Sequence, residues 1–235
     1  MTIFAERLRQ RYYGSATHPY ATYETTVDRL LRPQHTLLDA GCGRTAPVLR
    51  KYLGRAARLI GVELVDFTDV SVGLELHKCD LAHIPVPDAS VDLIMSRSVF
   101  EHLTDPEAVY REFARILKPG GRVVFLTANM WDYGTLVARL VPNSWHGAVV
   151  RHTEGRAEED TFPVAYKTNT RAEVGRLAAQ SGFSVEGFVY LSQYPNYLLF
   201  NGALFMLGTL YEKLISRFEA LRFLRGWILV TLRRN

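Results

Sequence analysis

The chain has 235 residues, 48% of them apolar, with a formal charge of +4, and this is enough to bury the core of one large α/β domain. Two cysteines, Cys42 and Cys79, are too few for a disulfide framework or a thiolate-held iron–sulfur cluster, and the charged start MTIFAERLRQ leaves no apolar stretch for a secretory signal. The positive excess lies wholly between Glu212 and Asn235, where six bases meet two acids, so the neutral body lacks the basic groove of a nucleic-acid enzyme. A cytoplasmic chain folding as one domain over residues 1–235, with no nucleic-acid partner, is expected.

Residues 1–35 read as a helical cover carrying Tyr12, Tyr13, Tyr23 and the HPY of 18–20. TLLDA at 36–40, RLIGVE at 58–63, VDLIMS at 91–96 and GRVVFLTA at 121–128 are short apolar runs of the kind that form strands buried on both faces. VDFTDVSVGLEL, after the second run, has no helical periodicity, so that crossover is expected to be loop. TDPEAVYREFARILKPGG puts Val109, Phe113, Ile116 and Leu117 on one helical face, with Thr104 and Glu107 spaced as a capping box and Pro119-Gly120-Gly121 as the stop. Thr170 and Glu173 repeat the capping box, Gly182 ends that helix, and SVEGFVYL follows as a strand. A helical insertion over 194–225 then precedes a last strand at 226–235, beginning GWILVTLRR. Strand–helix alternation over a core of 36–191 predicts a doubly wound, Rossmann-like sheet, whose ligands bind beyond the carboxyl ends of its strands.

The first strand runs into LLDAGCGRT, where Gly41, Gly43 and Ala46 satisfy a GxGxxA pattern and Glu63 lies 20 residues beyond Gly43. Taken alone this is a dinucleotide fingerprint, and it keeps an NAD-dependent oxidoreductase open. Asp39 points elsewhere. A carboxylate two residues before the first glycine opposes a pyrophosphate but favours a cofactor with an ammonium or sulfonium, whose carboxylate the glycine amides and a helix start would receive. An ionised Glu63 can accept from both ribose hydroxyls and Asp80 from an adenine amino group, since each is an acceptor only.

In these residues the chain resembles the class I S-adenosylmethionine-dependent methyltransferases, particularly their small-molecule branch. LLDAGCG looks like the family's glycine motif, GVE its ribose acid, CDLAHIPVPDASVDLIMSRSVFEHL its adenine loop and fourth strand, and LKPGGRVVFLTAN its entry to the fifth. The resemblance is dense from Thr36 to Asn129 and implies a seven-stranded, mostly parallel sheet with an antiparallel last strand. Carried over residue by residue, it puts Asp39, Gly41, Cys42 and Gly43 at the methionine end of S-adenosylmethionine, Glu63 at its ribose, Asp80 and Leu81 at its adenine, and Ser96, Arg97 and Ser98 against it through backbone.

Methyl transfer to a hydroxyl needs a base as well as alignment. His102 in VFEHL, and His146 and His152 after the fifth strand, are the candidates, and Trp131, Tyr133 and Trp145 are candidates for the acceptor pocket. The histidines lack paired ligand spacing, so no metal is expected. The expected acceptor is a small molecule or a lipid- or glycan-linked group, attacked at oxygen. A catalytically silent cofactor-binding or membrane-docking protein of the same fold is the other alternative. From Tyr194 to Tyr211 the insertion has no charge, and eighteen helical residues measure ~27 Å, short of a ~30 Å hydrocarbon core. Bases follow among apolar residues, so 194–225 is expected to pack on the body, to form a homodimer, or to lie on an anionic membrane at its inner face.

Overall fold

A computed structural model describes residues 3–68, 72–140 and 162–235. Seven strands form one sheet: β1 Thr36–Ala40, β2 Arg58–Glu63, β3 Glu75–Lys78, β4 Val91–Arg97, β5 Leu117–Ala128, β6 Phe183–Leu191 and β7 Trp227–Arg234. Their order is β3-β2-β1-β4-β5-β7-β6. β1 pairs in parallel with β2 and β4, β2 with β3, and β4 with β5. β7 runs against its neighbours: the Asn235 amide bonds Gly182 O at 3.0 Å, the Ser184 hydroxyl bonds Arg233 O at 3.4 Å, and Gly120 lies beside Arg233. The seven-stranded sheet with an antiparallel last strand is therefore present.

Burial follows position in the sheet. β1, β2 and β4 are buried along nearly their whole length, as parallel strands covered on both faces must be. β6 at the edge exposes much of its run. The helices are α1 Ile3–Tyr13, α2 Pro19–Leu30, α3 Pro106–Ile116, α4 Tyr133–Leu140, α5 Arg171–Gln180 and α6 Gly202–Arg217.

Several local expectations are corrected. α3 is capped by Asp105, whose side chain accepts from the Ala108 amide with Pro106 at the first helical position, so Thr104 and Glu107 form no capping box there. α3 ends at Ile116 and β5 begins at Leu117, four residues before the expected strand, because Leu117 pairs with Val91 of β4 and residues 118–121 form an irregularity before Arg122 pairs with Leu93. Tyr110 joins Val109, Phe113 and Ile116 on the buried face of α3. No α-helix follows β1; a short 3₁₀ turn at Leu49–Tyr52 is all that the first crossover contains. The second capping box is present, with Thr170 Oγ1 accepting from the Glu173 amide at 3.2 Å and Gly182 adopting φ +78° beyond the end of α5. The β2–β3 crossover has no helix among its described residues.

Contacts divide the chain into two compact units. A sheet unit comprises Thr22–Thr127, Ala165–Val189 and Leu229–Asn235; a helical unit comprises Met1–Ala21, Ala128–Val164 and Tyr190–Ile228. In the sheet unit Phe100 stacks on Phe125 with ring centroids 3.8 Å apart, and Tyr110, Phe113 and Phe183 extend that core. In the helical unit Phe4 and Tyr13 of α1 lie against Gly202 and Phe205 of α6, and Tyr133 of α4 meets Tyr211 edge-on at 5.2 Å.

Candidate functional site

The order β3-β2-β1-β4 reverses direction between β1 and β4, and the crevice beyond that pair is where doubly wound sheets bind ligands. Asp39 closes β1 there, in register with Gly61 of β2 and Met95 of β4. It is 3% exposed and its Oδ2 has no hydrogen-bond partner. Burial pushes its carboxyl up to about 7, against the pull of Arg97 and with a further push from Glu63. Burial shifts this carboxyl toward its protonated form, and a cationic ligand beside it would favour ionisation.

The turn after Asp39 is shaped by its glycines. Gly41 has φ +77°, and a Cβ there would sit 2.3 Å from a methyl of Val99, so both backbone and space require glycine. The amides of Gly41 and Cys42 both bond Val62 O, at 2.9 and 3.1 Å, which folds the turn over the end of β2. Gly43, at φ +76°, donates to Glu63 Oε2 at 2.7 Å, while Leu64 donates to Glu63 Oε1 at 2.8 Å. Glu63 is thereby fixed at the glycine turn with lone pairs to spare for hydroxyl donors. Cys42 is buried, and its thiol is pushed up first by burial and then by Asp39 and Glu63, so it offers no thiolate.

Asp80 follows β3 and accepts from the Ala82 amide at 2.8 Å in an exposed turn, with Leu81 buried behind it. Ser96 does more than the sequence reading allowed: its hydroxyl donates to Ala40 O at 2.7 Å in the fully buried interior and ties the end of β4 to the end of β1. Arg97 lies 3.5 Å from Glu24 of α2. Ser98 adopts φ +57° and bonds Leu126 O through its amide. His102 ends the 3₁₀ turn Phe100–His102 and is half-buried.

The structure thus brings Asp39, the Gly41–Gly43 turn, Glu63 and Ser96–Ser98 to the strand ends of the sheet unit. Trp131, half exposed, and Tyr133 belong to the helical unit. Trp145, His146 and His152 lie outside the described residues.

Four residues that sequence reasoning gives no chemistry at the site are prominent. Tyr23 of α2 is wholly buried, and burial with the neighbouring Asp39 charge raises its phenol. Glu101, one residue before His102, is buried; its carboxylate accepts from Thr127 Oγ1, which in turn accepts from Asn169 at 3.0 Å, and its carbonyl holds the amides of Ala165 and Tyr166. In the helical unit, burial pushes the Asp132 carboxyl up to about 6 and that of Glu212 to about 8, and Asp132 adds to the latter. Each acid is buried by neighbours in space that its place in the sequence does not name. Among the described residues no group of three or more His, Cys, Asp or Glu could hold a metal.

A glycine turn and a strand-end acid lie at the switch point of a 3-2-1-4-5-7-6 sheet, the architecture of a Rossmann-like domain. Residues 38–125 match the family model described as a methyltransferase domain. That match and the relatives below support a class I S-adenosylmethionine-dependent methyltransferase, with S-adenosylmethionine as the cofactor. It is 31% identical over 139 residues to the 27-O-demethylrifamycin SV methyltransferase of Amycolatopsis mediterranei, covering 52% of this chain and 51% of that one. It is 34% identical over 106 residues to a probable S-adenosylmethionine-dependent methyltransferase of Mycobacterium tuberculosis, covering 40% of this chain and 35% of that one. The chain therefore spans about half, or less, of the length of these relatives. Geranyl diphosphate C-methyltransferase from Streptomyces coelicolor A3(2), solved with Mg2+, geranyl diphosphate and S-adenosyl-L-homocysteine, has the same fold, with a TM-score of 0.60 at 21% identity over 92% of this chain and 78% of that one.

Proposed function

We propose that the protein transfers a methyl group from S-adenosylmethionine to a hydroxyl oxygen of a small-molecule, or lipid- or glycan-linked, acceptor in the cytoplasm. The observation that carries the cofactor half is the buried Asp39 carboxyl, with an unpartnered oxygen beside a turn that admits only glycine at position 41. Asp39 would face the cationic methionine end; the amides of Gly41, Cys42 and Gly43 are already bonded to Val62 O and Glu63, so they shape the turn and do not receive the carboxylate. Glu63 would accept from the ribose hydroxyls, Asp80 and Leu81 would hold the adenine, and Ser96, Arg97 and Ser98 would line the crevice beyond β4. The expected helix start behind the turn is missing.

Bound S-adenosylmethionine supplies a methyl already activated on a sulfonium, so the chain has to bind, orient and take up a proton. In this reading His102 is the base among the described residues, and Trp131 and Tyr133 contribute to acceptor recognition. Attack at oxygen has the support of the rifamycin relative, which is named for a 27-O-demethyl substrate. Calorimetric titration with S-adenosylmethionine, S-adenosylhomocysteine and NADH tests the cofactor: micromolar binding of the first two is expected, and binding of NADH alone overturns the reading. A screen of hydroxyl, amine and carbon acceptors with a labelled methyl donor tests the acceptor, and label found only on nitrogen or carbon overturns the oxygen assignment.

A further inference from the structure

α6 has two apolar faces, and the fold uses one of them. Phe205, Gly208, Thr209, Glu212 and Ile215 point inward and are buried. On the other side Leu204, Leu207, Leu210 and Leu214 are 40, 63, 60 and 51% exposed, at the three- and four-residue spacing of one helical face. Phe218 extends that line just past the helix, and Phe4 of α1, packed beside Gly202, is exposed next to it. A row of this size left in water is a contact surface for something.

The charges around the row indicate what. Lys213 and Arg217 are exposed on the margin beside Leu210 and Leu214, and Arg7 and Arg11 are exposed on the two turns of α1 that follow Phe4. Among the described residues none of these four bases has an ion-pair partner, although Lys213 lies 4.3 Å over the Tyr12 ring. The described acids of this unit are spent elsewhere: Glu6 pairs with Arg9, Glu219 with Arg222 and Arg225, and Asp132 and Glu212 are buried. Among the described residues, the face that reaches solvent is therefore apolar, and no described acid pairs with its positive flanks. Leucines entering the acyl boundary while bases meet anionic headgroups is the physics of an interfacial helix. A two-fold pairing of this face with itself would instead oppose its bases to one another. No described helix is long and apolar enough to cross a membrane, so α6 would lie along the surface.

We infer that the exposed leucine face of α6 docks the protein on an anionic lipid surface. The inference does not depend on the cofactor assignment and is tested without turnover. Full-length protein is sedimented with vesicles of phosphatidylcholine alone and of phosphatidylcholine containing about one third phosphatidylglycerol. Binding to the anionic vesicles only, reversed by high salt, is expected. Leu207→Glu/Leu210→Glu should reduce it more than tenfold and Lys213→Ala/Arg217→Ala about tenfold, with the circular dichroism and cofactor titration of both variants unchanged. Equal binding to neutral vesicles overturns the inference, as does failure to bind either kind. So does a dimer in sedimentation equilibrium that Leu207→Glu/Leu210→Glu dissociates while vesicle binding is absent, which would assign the face to a second copy.

Discussion

The amide of Gly43 donates to the carboxylate of Glu63 at 2.7 Å, so the acid that closes β2 is anchored to the turn that closes β1. In the proposed reading, one residue both shapes the glycine turn and receives the sugar. Glu63→Ala should weaken S-adenosylmethionine binding by about 2 kcal/mol, roughly thirtyfold, the scale of hydrogen bonds to a charged group. Glu63→Gln should recover part of that loss, because an amide oxygen still accepts from Gly43. Calorimetry on both variants checks this, and equal affinity of Glu63→Ala and the unaltered chain would refute the assigned role.

Asp39 predicts a pH dependence. Its folded pKa, about 7, is raised above the unfolded value of 3.8, so the folded state holds the proton more tightly. The stability this confers on the cofactor-free protein is complete below pH ~4 and is lost as pH rises through about 7. Cofactor affinity runs the other way, because the ionised carboxylate is the form that attracts a cation. Between pH 5.5 and 7 affinity should rise roughly tenfold, below the range in which an α-amino group gives up its own proton. In Asp39→Asn affinity should be lower and flat over that interval; a flat profile in the unaltered protein would refute the account.

Gly41→Ala meets two obstacles at once, a φ of +77° and a Val99 methyl 2.3 Å from the new Cβ. A loss of roughly 2–4 kcal/mol in unfolding free energy is expected, about 1 of it from backbone conformation and the rest from overpacking. Adding Val99→Ala should restore the steric part alone. Urea denaturation of the single and double variants separates the two, and no recovery in the double variant would mean that the clash is not with Val99.

Glu212 behaves like Asp39 in sign, but it belongs to the helical unit. Its pKa rises from 4.5 to about 8 through burial first and the nearby Asp132 second. Its contribution to stability is therefore present below pH ~4.5 and lost as pH climbs toward 8. Glu212→Gln should flatten that decline and leave the protein more stable at pH 9 by roughly 1–3 kcal/mol. Thermal melts from pH 5 to 9 read this directly, and a variant that declines in parallel with the unaltered chain would show that Glu212 ionises without cost.

Much of this protein is determined by its sequence. Runs such as TLLDA and VDLIMS are buried as strands because β-branched and aliphatic side chains satisfy both faces of a parallel sheet, and Asp39 two residues before Gly41 is legible as a strand-end acid from its place in the run. GWILVTLRR was legible as the last strand for the same reason. Local chemistry was less secure where two neighbours compete: Asp105 took the cap from Thr104 because Pro106 fixes the first helical position.

Tertiary structure alone decided which polar residues are buried and which apolar ones are not. Ser96 bonds Ala40 across 56 positions in sequence, Glu101 meets Thr127 and Asn169, and Glu212 sits inside a unit assembled from three separate segments. It also decided which side of α6 faces solvent. An apolar helix that is leucine-rich nearly all round carries no mark of its inner face, and only the placement of Phe4 and Tyr13 against Gly202 and Phe205 fixes its rotation. Patterning specifies elements through nearest neighbours in sequence, whereas burial and pKa depend on neighbours in space, which the chain acquires only when the elements pack.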